Sequence, residues 1–373
     1  MKDVTTGIKT HSRRQFVSAL LSGCINNQEY ASGRAARFHD DLRAKVQRSG
    51  KYLGCSVARS TFNNPVLLGF IQNNFNTITP AVELKWGALR PSPAEFNFTN
   101  SDWMVAFAER RDIAIHGHNL CWNTANPDWF RTVINKSNAT SFLKEHIETV
   151  MNRYKGRIDS WDVVNEPVLI GGRRPDGLYP GVWLSLIGPE YIDIAFETAA
   201  VADPKALRVL NLHHVEQDGT DEFARQASLT LVRQLVRRKI PIQGVGFESH
   251  LNGSRPTILA ERDIFISRIR DLGLEVLVTE LDVSDTNING DLRSRDTVVG
   301  ECYRSYLENI IKVAAPRRIG LWTIADLNNW YDAVQDPSFK RADGAHHRPG
   351  LLDEKLQPKS VYDAFRAGLE GWC

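Results

Sequence analysis

The residues in this 373-residue chain with the most chemical potential are two glutamates, each ending an apolar, β-branched run. Glu166 closes the strand-like part of "IDSWDVVNEPVL" at 158–169, and Glu280 lies near the end of "LEVLVTELDV" at 274–283. A carboxylate at the end of a strand has a bland use, as a cap or an ion-pair partner. Two carboxylates opposed across a cleft have another. One protonates a leaving oxygen while the other attacks a sugar carbon or activates water. A gap of ~5–5.5 Å leads to a covalent intermediate and retained configuration, and ~6.5–9.5 Å to inversion.

The neighbours of the pair favour the second use. Asn165 precedes Glu166 and can hydrogen-bond a sugar hydroxyl. His250 and Asp282 could hydrogen-bond Glu280 and each other, which would keep Glu280 ionised. Glu166 is then the expected acid, with a raised proton affinity. His118, in "HGHNLCW", reads equally well as a structural rim histidine or as a ligand contact. Two other readings stay open. A carbohydrate-binding or inactive barrel would use the same cleft, although binding alone has no need of opposed carboxylates. A metal-dependent hydrolase could gather His118, His250, Glu280 and Asp282. The pairs in "NLHH" (211–214) and "GAHHRPG" (344–350) are poor chelators by themselves, because adjacent strand residues point to opposite faces.

These residues need a scaffold that brings distant strand ends together. After residue 35, eight strand-like runs begin near residues 52, 76, 113, 160, 208, 243, 275 and 319. Helix-period segments separate most of them. One has Ile147, Val150, Met151 and Tyr154 on one face and stops at Gly156; others end at Pro241 and Gly273. Near-continuous apolar strands alternating with helices predict an α/β fold with a parallel sheet covered on both faces. The intervals suit a (β/α)8 TIM barrel occupying residues 36–373 as a single catalytic domain, with long loops after the third and fourth strands. An open doubly wound sheet is the alternative, but no G-x-G-x-x-G follows the first run. The run ends carry Lys85 and Trp86, His118 and Trp122, Asn165 and Glu166, Glu248 and His250, Glu280 and Asp282, and Asp326 and Trp330. In a barrel they would converge on the face where such enzymes keep their active sites.

Bulk properties narrow the partners. A net charge of +2 gives no reason to expect nucleic acid or an acidic membrane. No apolar run approaches the ~20 residues of a membrane span. Five cysteines cannot all pair and none forms C-x-x-C, so no zinc or redox site, and no cofactor, is expected. Cys55 and Cys121 lie in apolar runs and read as small hydrophobes. Residues 1–35 read as a leader. "HSRRQFVSALLSGC" is similar to a twin-arginine export signal with a lipidation box at Cys24, and a cytoplasmic leader with a chance arginine pair is the alternative.

Together the stretches "LKW" (84–86), "GHNLCW" (117–122), "WDVVNE" (161–166), "GVGFESHL" (244–251), "VTELDV" (278–283), "LWTIADLNNW" (321–330) and "RPGLLDEKLQPKSVYDAF" (348–365) resemble glycoside hydrolase family 10, the endo-β-1,4-xylanases. The resemblance implies a retaining reaction on xylan or a related β-1,4-linked polysaccharide, with Glu166 as acid/base and Glu280 as nucleophile. It also implies Lys85, His118 and Asn165 as sugar contacts, His250 and Asp282 as supports of Glu280, and Trp122, Trp322 and Trp330 as walls. Some positions depart from the family pattern. Ala81 and Val82 replace a Glu-Asn pair that grips the next sugar on the non-reducing side, and Asn123 replaces a histidine. Glu248 replaces a glutamine and brings a third carboxylate, expected to raise a neighbour's proton affinity; Asn211–His214 replace "NDYN".

Overall fold

The computed structural model describes residues 42–169, 174–217 and 221–373. The expected leader, with Cys24, lies outside these. Nine parallel strands occur among the described residues: β1 (Tyr52–Val57), β2 (Thr77–Pro80), β3 (Ala114–Cys121), β4 (Ser160–Asn165), β5 (Leu207–Leu212), β6 (Gly244–Phe247), β7 (His250–Asn252), β8 (Glu275–Ser284) and β9 (Arg318–Leu321). Each of the eight expected strands starts within one residue of its predicted position. Successive strands β1 to β6 pair in order, β6 pairs with β8, β8 with β9, and β9 with β1. The ring is therefore closed, and the fold is the (β/α)8 barrel. The short β7 was not anticipated. It continues the chain past β6 and pairs with the far end of β8, His250 opposite Asp282.

Local chemistry explains the helices that cover the ring. The helix Pro65–Asn74 has proline at its first position, and the Asn64 side chain accepts from the amides of Val66 and Leu67. The helix Ala139–Arg153 buries Leu143, Ile147, Val150 and Met151, and the chain leaves it through Gly156 at φ +72°. The helix Leu292–Ala314 is capped by Asp291, whose side chain accepts from the Ser294 amide. Cys55 and Cys121 are fully buried members of the core, as expected of small hydrophobes.

Three strand pairings slip by one residue towards the C-terminal end of the barrel. His118 faces Asp162 but Cys121 faces Val164; Asp162 faces Val209 but Val164 faces Leu210; Val278 faces Ile319 but Leu281 faces Leu321. Each slip is a bulge that places one extra residue on the earlier strand and re-aims the side chains beyond it. Asp162 and Asn165, an odd number of positions apart, thus both turn inward, and so do the consecutive residues Thr279 and Glu280.

Candidate active site

Glu280 is buried at the mouth of the ring and held from several sides. Asn211 Nδ2, from β5, donates to Glu280 Oε1 at 2.9 Å and to Asn165 Oδ1 at 2.8 Å. Thr279 Oγ1 donates to Asn211 Oδ1 at 2.7 Å, which fixes the orientation of that amide. Gly246 makes room for this arrangement, since a Cβ there would stand 2.3 Å from Asn211 Oδ1. On the other side, His250 Nε2 lies 3.3 Å from Glu280 Oε2 while its Nδ1 bonds Asp282 Oδ1 at 2.8 Å. Burial opposes charge on His250, but Asp282 outweighs it and holds the imidazole well above its ordinary pKa. His250 thus joins two carboxylates, and their proximity favours its charged form. Asp282 also accepts from Trp330 Nε1 (2.6 Å), Tyr331 Oη (2.7 Å) and Thr323 Oγ1 (3.0 Å). The expected contact of Asp282 with Glu280 is therefore indirect, through His250.

Glu166 follows β4 in the left-handed region, at φ +49°, and its amide donates to the Asn211 carbonyl at 3.0 Å. Such a backbone is uncommon for a residue with a side chain and costs about 1–3 kcal/mol. It turns the carboxylate back over the mouth, where Oε2 lies 3.1 Å from His213 Nδ1. His213 is buried and His214 is exposed, so the two adjacent histidines do face opposite ways. Glu248, buried at the end of β6, stands between the two glutamates. Its carboxylate is within 4.8 Å of Glu166 and His213 on one side, and of His250 and Glu280 on the other.

Lys85, His118, Trp122, Trp322 and Trp330 lie around the two glutamates. The Lys85 ammonium lies 5.0 Å from the Trp122 ring and 5.5 Å from the Trp322 ring. Burial pushes its pKa down, against the pull of Glu280, Glu166, Glu83 and Glu248. The His118 ring meets Trp322 edge-on at 5.4 Å, and His250 lies 5.1 Å from Trp330. His118 Nδ1 donates to Asp162 Oδ2 at 2.8 Å and is 3.7 Å from Glu280 Oε1; His116 Nε2 lies 3.0 Å from the same Asp162 oxygen. Beneath them Arg318 is buried inside the ring, bonded to Thr79 Oγ1 at 2.6 Å. Asp326 does not join the site. Its carboxylate takes Lys359 Nζ at 3.0 Å and the Gly350 amide at 2.9 Å, and burial pushes its pKa up to about 6.

At the mouth of the ring the chain thus sets two glutamates among aromatic rings, one with a donor network and one beside a histidine. Residues 41–367 match the family model described as glycosyl hydrolase family 10. The chain belongs to that family. It is 32% identical to endo-1,4-beta-xylanase A of Caldicellulosiruptor sp. (strain Rt8B.4), over 83% of this chain and 45% of that protein. It is 28% identical to endo-1,4-beta-xylanase B of Thermotoga neapolitana, over 94% of this chain and 96% of that protein. The chain therefore spans about half the length of the first relative and nearly all of the second. Among solved structures, xylanase 10B of Thermotoga maritima superposes with a TM-score of 0.78 at 28% identity, covering 88% of this chain and 98% of that one.

Within this family 10 chain some departures, Asn211, His213 and Glu248, lie inside the catalytic cluster, and others lie elsewhere. Ala81 and Val82 are buried apolar residues beside Lys85. Asn123 is turned towards Gly181, where a Cβ would stand 1.9 Å from its Oδ1. Asp162, Asn211, His213 and Tyr331 are partners of the site that the sequence reading assigned no role. Asp162 carried a signal, lying four residues before Glu166 in a quoted motif, but strict alternation from Asn165 would have turned it outward. Among the described residues, the histidine-carboxylate groups close enough to surround a cation are His118–Asp162–Glu280, Glu166–His213–Glu248 and Glu248–His250–Glu280. None is the four-residue set considered from sequence, and all three belong to the cluster just described.

Proposed function

We propose that the chain hydrolyses β-1,4-linked xylan or a closely related β-glycan internally and with retention of configuration. The observation that carries this reading is the unequal environment of the two glutamates. Glu280 accepts from Asn211 and from the His250 cation, so its oxygens are stabilised as an anion suited to attack the anomeric carbon. Glu166 is more open, with its side chain 14% exposed against 7% for Glu280, and faces the mouth where a leaving oxygen would depart. Glu166 gives its proton to the glycosidic oxygen as Glu280 forms the glycosyl ester. It then takes a proton from the water that hydrolyses that ester. Asn165, with its Oδ1 occupied by Asn211, presents Nδ2 as a donor for a sugar hydroxyl. His118 and Lys85 add polar contacts, and Trp122, Trp322 and Trp330 form the walls.

The same reading supports a weak grip on the second non-reducing-side sugar, because Ala81 and Val82 offer no polar side chain there. Export through the Arg13–Arg14 leader completes the proposal, since a polymer too large to enter a cell is met outside it. Mass measurement of the mature protein, with or without Cys24, tests that part.

The deciding experiment incubates the purified protein with β-1,4-xylan and other β-glycans and follows product length. Glu280→Ala is expected to abolish turnover, and azide to restore bond cleavage of an aryl β-glycoside with an inverted glycosyl azide as product. Wild-type turnover without any rescue of the variant by azide or formate removes the covalent mechanism.

A further inference from the structure

A third glutamate, Glu248, stands beside the two that the reaction uses and is the most buried of the three. Glu248 is 4% exposed, against 14% for the Glu166 side chain. Glu280 has Asn211 and the His250 cation, and Glu166 has His213. For Glu248 the hydrogen bond observed is a long one, 3.4 Å from Asn211 Nδ2 to its Oε1. That donor is already shared between Asn165 and Glu280. Around Glu248 stand Glu280 on β8, Glu166 after β4, Glu216 and His213 after β5, His250 on β7 and Lys85 after β2. Glu216 adds to the negative field; its own oxygens take the amides of Ser249 and Val215.

Three anions within this space, with His250 shared and Lys85 serving four carboxylates, would repel strongly in a buried setting. Burial, followed by the charges of Glu280 and Glu166, drives the Glu248 carboxyl well above the usual carboxylate range.

We propose that Glu248 is a positioning residue that keeps a proton throughout the active pH range and acts as a neutral hydrogen-bond donor set between Glu166 and Glu280. Its Oε1 accepts from Asn211, which leaves Oε2 to carry the proton, with the Glu166 and Glu280 carboxylates both within 4.8 Å of the Glu248 carboxyl. A protonated carboxyl has the size and neutrality of a side-chain amide, so glutamate here fills an amide's place. An ionised Glu248 would instead compete with Glu280 for Asn211 and His250, loosening the attacking group. This deepens the proposed retaining reaction and rests on it for its kinetic consequence.

Two substitutions and one spectrum test it. Glu248→Gln preserves a neutral donor, whereas Glu248→Leu removes it. We expect kcat to fall at least about tenfold further in the leucine variant than in the glutamine one, a difference of ~1.4 kcal/mol. In Glu248→Gln the alkaline limb of kcat/KM stays in place or moves to higher pH, because no charge has been removed beside Glu166. Were Glu248 ionised in the wild type, the same change would delete a nearby anion, ease proton loss from Glu166 and move the limb to lower pH; that outcome overturns the proposal. So does a glutamine variant as slow as the leucine one. Independently of turnover, the infrared difference spectrum of wild type minus Glu248→Gln, both at neutral pH, is expected to show a protonated-carboxyl carbonyl band belonging to the wild type. Absence of that band also overturns it. Because the spectrum needs no substrate, a protein that left every glycan intact would count against the hydrolase reading and leave the protonation result standing.

Discussion

Asn211 joins more of the site than either glutamate does. One amide holds Glu280, orients Asn165 and is itself held by Thr279, while its carbonyl receives the Glu166 amide. Replacing it with alanine should lower kcat roughly 10²-fold or more, the range seen when a preorganised donor at a charged centre is removed. KM should change much less, since the groups proposed to touch sugar remain. Steady-state kinetics on an aryl β-glycoside would check this, and an effect confined to KM would place Asn211 in binding instead. At this scale the sequence was informative about residues that meet the substrate and nearly silent about those that hold them. Glu166, Glu280 and His250 stand in strings with recognisable neighbours. Asn211 stands in "NLHH", a string that showed a histidine pair and a difference from a family pattern but gave the asparagine no role. Nothing in its own string says which strand lies beside it.

The strands illustrate a different limit. Their existence, order and starts were legible because parallel barrel strands are buried on both faces and read as apolar runs. Their facing was not, because the bulges in β3, β4 and β8 shift the side-chain phase without any local mark in the sequence. Gly246 shows how tightly the shifted side chains fit. A methyl there would meet Asn211 Oδ1 at 2.3 Å and Thr279 Cγ2 at 2.8 Å. Gly246→Ala should therefore destabilise the fold by about 1–3 kcal/mol through overpacking. It should also reduce kcat by more than this loss of folded protein explains, because relief of the clash moves the amide that holds Glu280. Chemical denaturation and kinetics on the same preparation separate the two effects.

For the whole molecule, His146 ties the stability of the barrel to pH. It is fully buried in the helix Ala139–Arg153, stacked on Trp86 at 3.8 Å, and neither ring nitrogen has a hydrogen-bond partner among the described residues. Burial, reinforced by the Arg90 charge, holds its pKa well below the ordinary imidazole value. The unfolded chain takes up a proton near pH ~6.5 and the folded chain does not. Stability from this position is therefore complete above that pH and is lost as pH falls towards the depressed folded value, by ~1.4 kcal/mol per unit. His146→Phe should remove that dependence, so that Tm of the variant gains on the wild type between pH 7 and 5; parallel Tm curves would refute it.

The ring closes where β1 meets β9, and the C-terminal end of the described chain is tied to the segments leading into both strands. Lys51, just before β1, bonds the Trp372 carbonyl, and Trp372 Nε1 bonds the Pro316 carbonyl, just before β9. The opening helix Leu42–Arg48 reaches the turn before β3 through Arg43. All of these contacts lie at the starts of strands, whereas the glutamates lie at their finishes. In the proposed reaction, the polymer is met at the opposite end of the strands, where the glutamates lie.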